Sequence, residues 1–194
     1  MAEDSLNSAP KAVVIGGSTG SIDVLLQVLP TLTPPLTYVC IIVLHRRNTA
    51  DSTLAHLFSL KTTIPVREVD DKEPIQPGII YLAPADYHVL IEHDRTFALD
   101  DSEKVHYSRP SIDVTFESAA DVFGSSLVGI LLSGANADGT AGLKAIKRRG
   151  GMLVIQQPET AQATMMPQQA ILNTQVDYIL DIKEIGTLLN NLNL

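Results

Sequence analysis

The stretch AVVIGGSTGS at residues 12–21 begins as an uninterrupted apolar run and ends as a glycine-rich turn. An apolar run without polar alternation is typical of a parallel β-strand that helices cover on both faces. The turn places Gly16, Ser18 and Gly20 in the G-x-S-x-G spacing, in which glycines permit a sharp bend that presents a serine hydroxyl at a helix entrance. The stretch therefore predicts a central strand followed by a candidate nucleophile, Ser18.

Short apolar runs alternate with amphipathic helical patterns after this stretch, which predicts repeated β-α units. Predicted strands lie at 12–16, 38–44, 127–134 and 152–156, and predicted helices at about 22–32, 53–61, 112–123, 140–149 and 182–192. The segment at about 65–99 differs, because its short apolar runs are separated by Pro, Gly and Asp and indicate antiparallel meander strands. We expect an α/β fold with a mostly parallel, doubly wound sheet flanked by helices and an antiparallel meander insertion at about 65–99.

Length and composition fit one globular domain. The chain has 194 residues, of which 45% are hydrophobic and 19% are charged, and it can bury a full core. Residues 1–10 are polar, small and proline-terminated, so we interpret them as a flexible leader and 11–194 as the folded domain.

The composition also disfavours several classes of protein. No apolar run approaches the length of a membrane span, and the start of the chain lacks the pattern of a secretory signal. The single cysteine, Cys40, lies within an apolar run and permits no internal disulfide, which fits the cytoplasm. A net charge of −8 opposes general attraction to a nucleic-acid backbone. We therefore expect a cytoplasmic protein without membrane insertion or nucleic-acid binding.

Three residues of the types used by serine hydrolases follow predicted parallel strands. Ser18 follows the first strand, His45 follows the second, and Asp138 lies in a glycine-flanked turn after the run LVGILLSG. Ligands of open α/β sheets bind at the carboxyl ends of the strands, where these residues would meet. A hydroxyl nucleophile, an imidazole base and an orienting carboxylate would then form a catalytic triad. Backbone N–H groups just after Ser18, at Thr19, or near Ala135 would stabilise a developing oxyanion.

Each of these residues also has a structural interpretation. Ser18 could cap a helix or line a phosphate-binding turn, His45 could be a hydrogen-bonded core residue, and Asp138 could cap the helix after it. Arg46 and Arg47 directly follow His45 and are expected beside the cleft, where they would attract an acidic substrate. The other histidines form no H-E-x-x-H pattern and there is no cysteine cluster, so we expect no metal site.

Two other α/β enzyme classes can be compared with this order of residues. A dinucleotide-binding turn of an NADP-dependent reductase would use the glycines after strand one and Arg46 and Arg47 for the 2′-phosphate, but the G-x-G-x-x-G register is missing. The Tyr and Lys spaced by four, as in short-chain reductases, are also missing. In α/β-hydrolases the histidine comes last, whereas here the last histidine is His106.

The order Ser, His, Asp and five motifs resemble the catalytic domain of the chemotaxis protein-glutamate methylesterase family, CheB. The similar segments are VVIGGSTGS (13–21), IIVLH (41–45), GIIYLAPADYHVLIE (78–92), SRPSIDVTFESAA (108–120) and LLSGANADGTAGLKAIKRRGG (131–151). The resemblance covers nearly the whole chain and implies a methylesterase-like catalytic domain at 11–194. Ser18 would be the nucleophile, His45 the general base and Asp138 its orienting carboxylate, with no cofactor.

The resemblance implies hydrolysis of γ-glutamyl methyl esters on the cytoplasmic helices of methylated chemoreceptors, and by the same acyl chemistry deamidation of receptor glutamines. Family members usually carry a receiver domain before the esterase, whereas only ten residues precede Lys11 here. Regulation would differ, or a separate response regulator or methyltransferase would act as partner. Ser21, Ala135 and Asn136 depart from the residues common in the family. The alternative functions are a non-catalytic module that docks on receptors and an NADP-binding, reductase-like domain.

Overall fold

The computed structural model describes residues 11–46 and 53–193. The leader expected at 1–10 and Arg47 lie outside the described residues. None of the helices in the described part is both long and apolar enough to cross a membrane.

Strands and helices alternate along the chain as expected, except between residues 60 and 111, where four strands follow one another. Most of the predicted elements lie within two or three residues of their predicted positions. The strands are β1 (Ala12–Gly17), β2 (Val39–Leu44), β3 (Val66–Glu68), β4 (Ile80–Leu82), β5 (His88–Ile91), β6 (Phe97–Asp100), β7 (Leu127–Leu131), β8 (Met152–Gln156) and β9 (Tyr178–Leu180). The helices are α1 (Ser21–Val28), α2 (Thr53–Ser59), α3 (Ile112–Phe123), α4 (Thr140–Arg148), α5 (Met165–Asn173) and α6 (Ile182–Asn191).

Seven of these strands form one parallel sheet in the order β3-β4-β2-β1-β7-β8-β9. The chain leaves β1 toward β2 on one side and later returns to β7 on the other, so the order reverses between β1 and β7. In doubly wound sheets such a switch point opens a crevice at the carboxyl ends of the strands. The expected α/β, doubly wound fold is confirmed.

Both faces of the sheet are covered, which explains why its strands do not alternate between apolar and polar residues. Val14 and Ile41 face a core cluster that includes side chains of α3, α4 and α5. Val13 and Ile42 face a second cluster that includes side chains of α1, α2 and α6. Every residue of β1 and β2 is buried, so the two strands hold the residues after them on a rigid frame.

The antiparallel part is smaller than the meander insertion expected at about 65–99. Among the strands of the described residues, β5 and β6 alone pair in antiparallel fashion, from His88↔Asp100 to Ile91↔Phe97, and a single antiparallel bridge joins Pro74 and Thr96. The strands β3 and β4 instead extend the parallel sheet beside β2. Apolar runs of three residues carry no period that distinguishes a parallel from an antiparallel neighbour, so pattern alone could not place them.

Two further elements, α5 and β9, are absent from the sequence prediction. Pro167 is the third residue of α5, where its missing N–H would have had no partner within the helix in any case. The strand β9 has only three residues, and Tyr178 and Ile179 in it are exposed at the edge of the sheet. Neither segment carries the apolar pattern on which the other predictions depend.

A glycine at position 16 allows the start of α3 to approach β1. A Cβ atom at this position would lie 2.4 Å from Ile112 Cγ2 and 3.0 Å from Phe116 Cζ. We therefore expect Gly16→Ala to lower the free energy of unfolding by about 1–3 kcal/mol, measured by denaturant titration, because overpacking a dense core forces side chains or backbone to shift.

The double variant tests whether the contact with Ile112 causes this loss. Ile112→Leu removes the Cγ2 branch, so Gly16→Ala should cost less in that background than in the wild type. Strictly additive effects would contradict the proposed contact.

Candidate active site

The parallel register brings Ser18 and His45 side by side. Gly17 pairs with Leu44, so Ser18 and His45 are the next residues on neighbouring strands. The N–H of His45 donates to the carbonyl oxygen of Gly17 over 3.1 Å, which extends the pairing to the end of β2. Both side chains are partly exposed at the carboxyl edge of the sheet, where the crevice was expected.

The turn that carries Ser18 is fastened to the end of β7. The N–H of Ser18 donates to Ser133 O at 2.9 Å and to Ser21 Oγ at 3.1 Å. Ser21 is fully buried, and its hydroxyl donates to Ser133 O over 2.7 Å. Gly20 precedes α1 in the left-handed region, at φ 85°, which glycine adopts without strain. Ser21, noted from the sequence only as a departure from the family pattern, therefore fixes the serine turn.

His45 and Asp138 form a buried pair. The distance from His45 Nε2 to Asp138 Oδ2 is 2.7 Å, and their side chains are 10% and 0% exposed. Asp138 lies in the loop between β7 and α4, so the pair joins two strands that are separated by β1 in the sheet. An ionised carboxylate only accepts hydrogen bonds, so Nε2 must carry a proton.

Asp138 is held by the start of α3 rather than by its own helix. Its Oδ2 accepts from the N–H of Ile112 at 2.7 Å, and its Oδ1 accepts from the N–H of Asp113 at 3.0 Å. Ser111 Oγ and the N–H of Gly139 also donate to Oδ1, each over 3.0 Å. Free N–H groups and the positive end of the dipole make a helix start a favourable place for a carboxylate. Asp138 is thus a helix cap, as the structural interpretation suggested, but of α3, and it contacts His45 at the same time.

These contacts decide the charge of Asp138. Burial by itself would raise the pKa of this carboxyl, but the hydrogen bonds from His45 and from the backbone of Asp113 and Ile112 outweigh it and lower the pKa below its ordinary value. Asp138 therefore stays ionised at neutral pH, in a place that excludes water.

The remaining ring nitrogen of His45, Nδ1, faces the side-chain amide of Asn136. With Nε2 protonated, Nδ1 is an acceptor, and it lies 3.4 Å from Nδ2 of Asn136. Oδ1 of Asn136 accepts from the N–H of Asp138 over 3.1 Å, which orients the amide. Within residues 11–46 and 53–193, Ser18 Oγ forms no hydrogen bond with the imidazole. The structure thus joins His45 to Asp138 directly and places Ser18 beside them.

Two backbone N–H groups named from the sequence are free to bind an oxyanion. Neither Thr19 N–H nor Ala135 N–H donates to an acceptor among the described residues. Both residues are exposed, one directly after Ser18 and the other in the loop that carries Asp138. Ser18 N–H, in contrast, is already used within the turn.

A cleft of about 370 Å3 opens beside His45. It is lined by His45, Arg46, Asp86, Lys104, Tyr107, Ser108 and Arg109. The Arg46 guanidinium forms an ion pair with Glu68, while its buried Nε has no hydrogen-bond partner in the described part of the chain. Arg46 therefore lies where the sequence predicted, but a neighbouring carboxylate compensates its charge.

Comparison with known proteins identifies the family of the chain. A statistical model of the CheB methylesterase family matches residues 13–189. The chain belongs to the CheB methylesterase family. It is 43% identical over 178 residues to a candidate protein-glutamate methylesterase/protein-glutamine glutaminase of Leptospira interrogans, covering 92% of each chain. The resemblance inferred from the motifs is confirmed. The family match also favours a methylesterase over an NADP-dependent reductase.

A solved CheB structure shows the same fold. The crystal structure of the Thermotoga maritima CheB methylesterase catalytic domain matches with a TM-score of 0.90 and 31% identity, covering 95% of this chain and 100% of that one. Against the full Thermotoga protein, named protein-glutamate methylesterase/protein-glutamine glutaminase, the match is 32% identical over 90% of this chain but only 52% of that protein. The chain therefore corresponds to the CheB catalytic domain.

A second buried carboxyl, Asp113, lies next to the His45–Asp138 pair. Side-chain atoms of His106, Asp113 and Asp138 lie within 4.8 Å of one another. Both oxygens of Asp138 already accept hydrogen bonds from protein donors, so this cluster fits the support of His45 better than a metal site. Burial, together with the nearby charge of Asp138, raises the pKa of Asp113 to about 6, although the N–H of Gly142 donates to it.

This raised pKa predicts how stability depends on pH. Between the ordinary value of 3.8 and about 6, the native protein holds a proton on Asp113 that the unfolded chain has lost. The stability that protonated Asp113 contributes is therefore complete below the ordinary value and is lost as pH rises through about 6. We expect Asp113→Asn to raise the melting temperature relative to wild type more at about pH 7.5 than at about pH 5.

Asp121→Asn is the matched control, because Asp121 lies on the same helix with its side chain 54% exposed. It should change the melting temperature little and equally at both pH values. An equal effect of Asp113→Asn at both values would mean that Asp113 does not change its charge in this range.

Proposed function

We propose that this protein is a serine-dependent protein-glutamate methylesterase. The observation that carries the proposal is the buried His45–Asp138 hydrogen bond of 2.7 Å, placed at the switch point of the sheet directly beside Ser18. Relatives with this fold are named for this activity. The substrates are γ-glutamyl methyl esters on the cytoplasmic helices of chemoreceptors, which places the protein in the cytoplasm.

Acylation begins when Ser18 Oγ attacks the γ-carbonyl carbon of the ester. The Ser18 proton passes to Nδ1 of His45, because Nε2 is already committed to Asp138. The tetrahedral intermediate then expels methoxide, which takes the proton from Nδ1 and leaves as methanol. Catalytic hydrogen bonds are often long or poorly aligned without substrate and tighten when it is bound, so this step does not require a hydrogen bond between Ser18 and His45 in the free protein.

Water completes the cycle by the reverse proton route. It attacks the acyl-enzyme carbonyl, gives a proton to Nδ1, and the collapse of the intermediate returns that proton to Ser18 Oγ and releases glutamate. A glutamine side chain would follow the same steps with ammonia as the leaving group. The N–H groups of Thr19 and Ala135 would stabilise the oxyanion in both halves, and Arg46 would assist substrate binding. No step needs a cofactor.

Asp138 stabilises the imidazolium that forms in each half-reaction. It does so without taking the proton, since its hydrogen bonds from the start of α3 keep its pKa low. A methyltransferase or a separate response regulator remains a proposed partner for control of the activity. Arg47 was also expected to attract substrate, but it lies outside the described residues.

A receptor-docking module without catalysis is the second candidate function. It is favoured by one observation, the lack of a hydrogen bond between Ser18 Oγ and the imidazole in the described structure. Labelling with a serine-reactive phosphonate separates the two functions. The enzyme would be modified at Ser18, whereas a docking module would leave Ser18 unlabelled.

Ser18→Ala should abolish methanol release from methylated receptor fragments with little change in melting temperature, because the Ser18 hydroxyl forms no hydrogen bond with any other residue in 11–46 and 53–193. Loss of a triad nucleophile lowers kcat by several powers of ten. Retention of more than about a hundredth of wild-type activity would reject Ser18 as the nucleophile.

Asp138→Asn should lower kcat by roughly 10³–10⁴-fold, because an amide stabilises the wrong imidazole tautomer. Ser111→Ala is the matched control, since it removes one donor to the same carboxylate but leaves the three backbone donors and His45 in place. It should lower kcat by less than about tenfold, in line with one neutral hydrogen bond. If both variants hydrolyse the ester normally, Asp138 is only a cap for α3.

A further inference from the structure

Part of the cleft beside His45 is lined by a tight turn, whose backbone conformation is unfavourable for the residues in it. We call residues 104–108 the lip. The N–H of Ser108 donates to Val105 O over 2.9 Å and the N–H of Val105 to Ser108 O over 3.2 Å, which closes a two-residue hairpin turn. Its central residues, His106 and Tyr107, have φ values of 50° and 63°. This left-handed pair is normally built from Gly, Asn or Asp.

The side chain of Tyr107 makes no burial or hydrogen-bond contact among the described residues that would offset this strain. Its side chain is 97% exposed, and its hydroxyl has no hydrogen-bond partner within the described residues. The neighbouring His106, in contrast, lies 3.3 Å from the carboxylate of Asp113. A bulky residue in the left-handed region needs support from its surroundings, and such residues cluster at functional sites. Here the hydrogen bonds and the ion pair of Arg109, directly after the lip, give that support.

Arg109 anchors the segment on which the lip stands. Its guanidinium donates to the carbonyl oxygens of Asp101, at 2.5 Å, and Ser102, at 2.7 Å. It also forms an ion pair of 2.7 Å with Asp86, which lines the same cleft. The lip is therefore fixed at its base, and the Tyr107 ring is held out in solvent at the mouth of the cleft that contains His45.

The lip also carries a positive charge that the fold does not use. Lys104 lines the same cleft and forms no ion pair within residues 11–46 and 53–193, whereas Arg46 and Arg109 are both paired. The protein as a whole has a net charge of −8. A free cation beside the active site of an acidic protein favours a substrate segment with a carboxylate at a matching distance.

We propose that Tyr107 and Lys104 form a substrate-recognition lip that binds the protein segment carrying the ester. The Tyr107 ring contacts an apolar side chain of that segment, and Lys104 pairs with an acidic side chain near the ester. This assignment rests on the proposed function, and it restricts the substrate to esters on an acidic, amphipathic protein segment. A free amino-acid ester does not reach the lip.

Two substrates measured with the full chain test the assignment. Methanol release is followed with a methylated chemoreceptor cytoplasmic fragment and with N-acetylglutamate γ-methyl ester, and the ratio of the two kcat/KM values is taken. Tyr107→Gly should lower this ratio roughly tenfold, as expected for a tyrosine that anchors an interface. The variant should melt at the same temperature as wild type or higher, because glycine accepts a φ of 63° without strain.

Charge and position have their own controls. Lys104→Gln should lower the ratio at low salt and have less effect at high salt, because salt screens an exposed ion pair. Tyr178→Ala removes a tyrosine that is 47% exposed on the edge strand β9, and it should leave the ratio unchanged. Lys183→Gln removes the charge of an exposed lysine on α6, and it should also leave the ratio unchanged.

Binding separates a failure of the lip from a failure of the proposed function. In a Ser18→Ala background, calorimetry with the receptor fragment should show a Kd that rises by the same factor when Tyr107→Gly is added. If the fragment binds through Tyr107 but no ester is hydrolysed, the lip stands and the esterase function falls. If the small ester is hydrolysed but Tyr107→Gly changes neither the ratio of the kcat/KM values nor the Kd of the fragment, the lip is rejected. The lip is also rejected if the fragment does not bind.

Discussion

The contact on which the site depends is the one between the Asp138 carboxylate and the first backbone N–H groups of α3. A buried carboxylate without donors would take up a proton and could no longer orient an imidazole. Ile112, Asp113 and Gly139 supply backbone donors that keep it ionised. One of the two oxygens, Oδ2, also accepts the hydrogen bond from His45 Nε2. The contact with Asp138 thus has two effects. It caps the start of α3, and it keeps Asp138 ionised so that His45 Nε2 holds a proton.

The doubly wound sheet brings these groups together although they are distant in the sequence. His45 and Asp138 are 93 residues apart, and the strands before them flank β1, which ends at the serine turn. Ser133, just after β7, accepts from both Ser18 and Ser21, so the turn that carries Ser18 is joined to the loop that carries Asp138. The positions of these side chains relative to one another therefore depend on strand order. A small shift of α3 would move the Asp138 carboxylate and, through it, the His45 imidazole.

Much of this could be predicted from the sequence, because strand ends carry local signals. The apolar runs located β1, β2, β7 and β8, and the residues after the first three identified the serine, the histidine and the aspartate. The donors to Asp138 could not be predicted, since they come from residues 111–113, which reach the loop only through tertiary packing. Ser21 was recorded as a departure from the family pattern, but its role required knowledge of where Ser133 lies. The three-residue strands β3 and β4 lie where strands were predicted, but they pair in parallel rather than in a meander, because so short a run fits either direction of pairing.

The tautomer of His45 tests the central claim most directly. Nitrogen-15 NMR of the histidine-labelled protein at neutral pH distinguishes a protonated ring nitrogen from an unprotonated one. An ionised Asp138 fixed by α3 predicts a single form of His45, with the proton on Nε2 and a bare Nδ1. A proton on Nδ1, or a mixture of both forms in rapid exchange, would mean that the carboxylate does not control the imidazole.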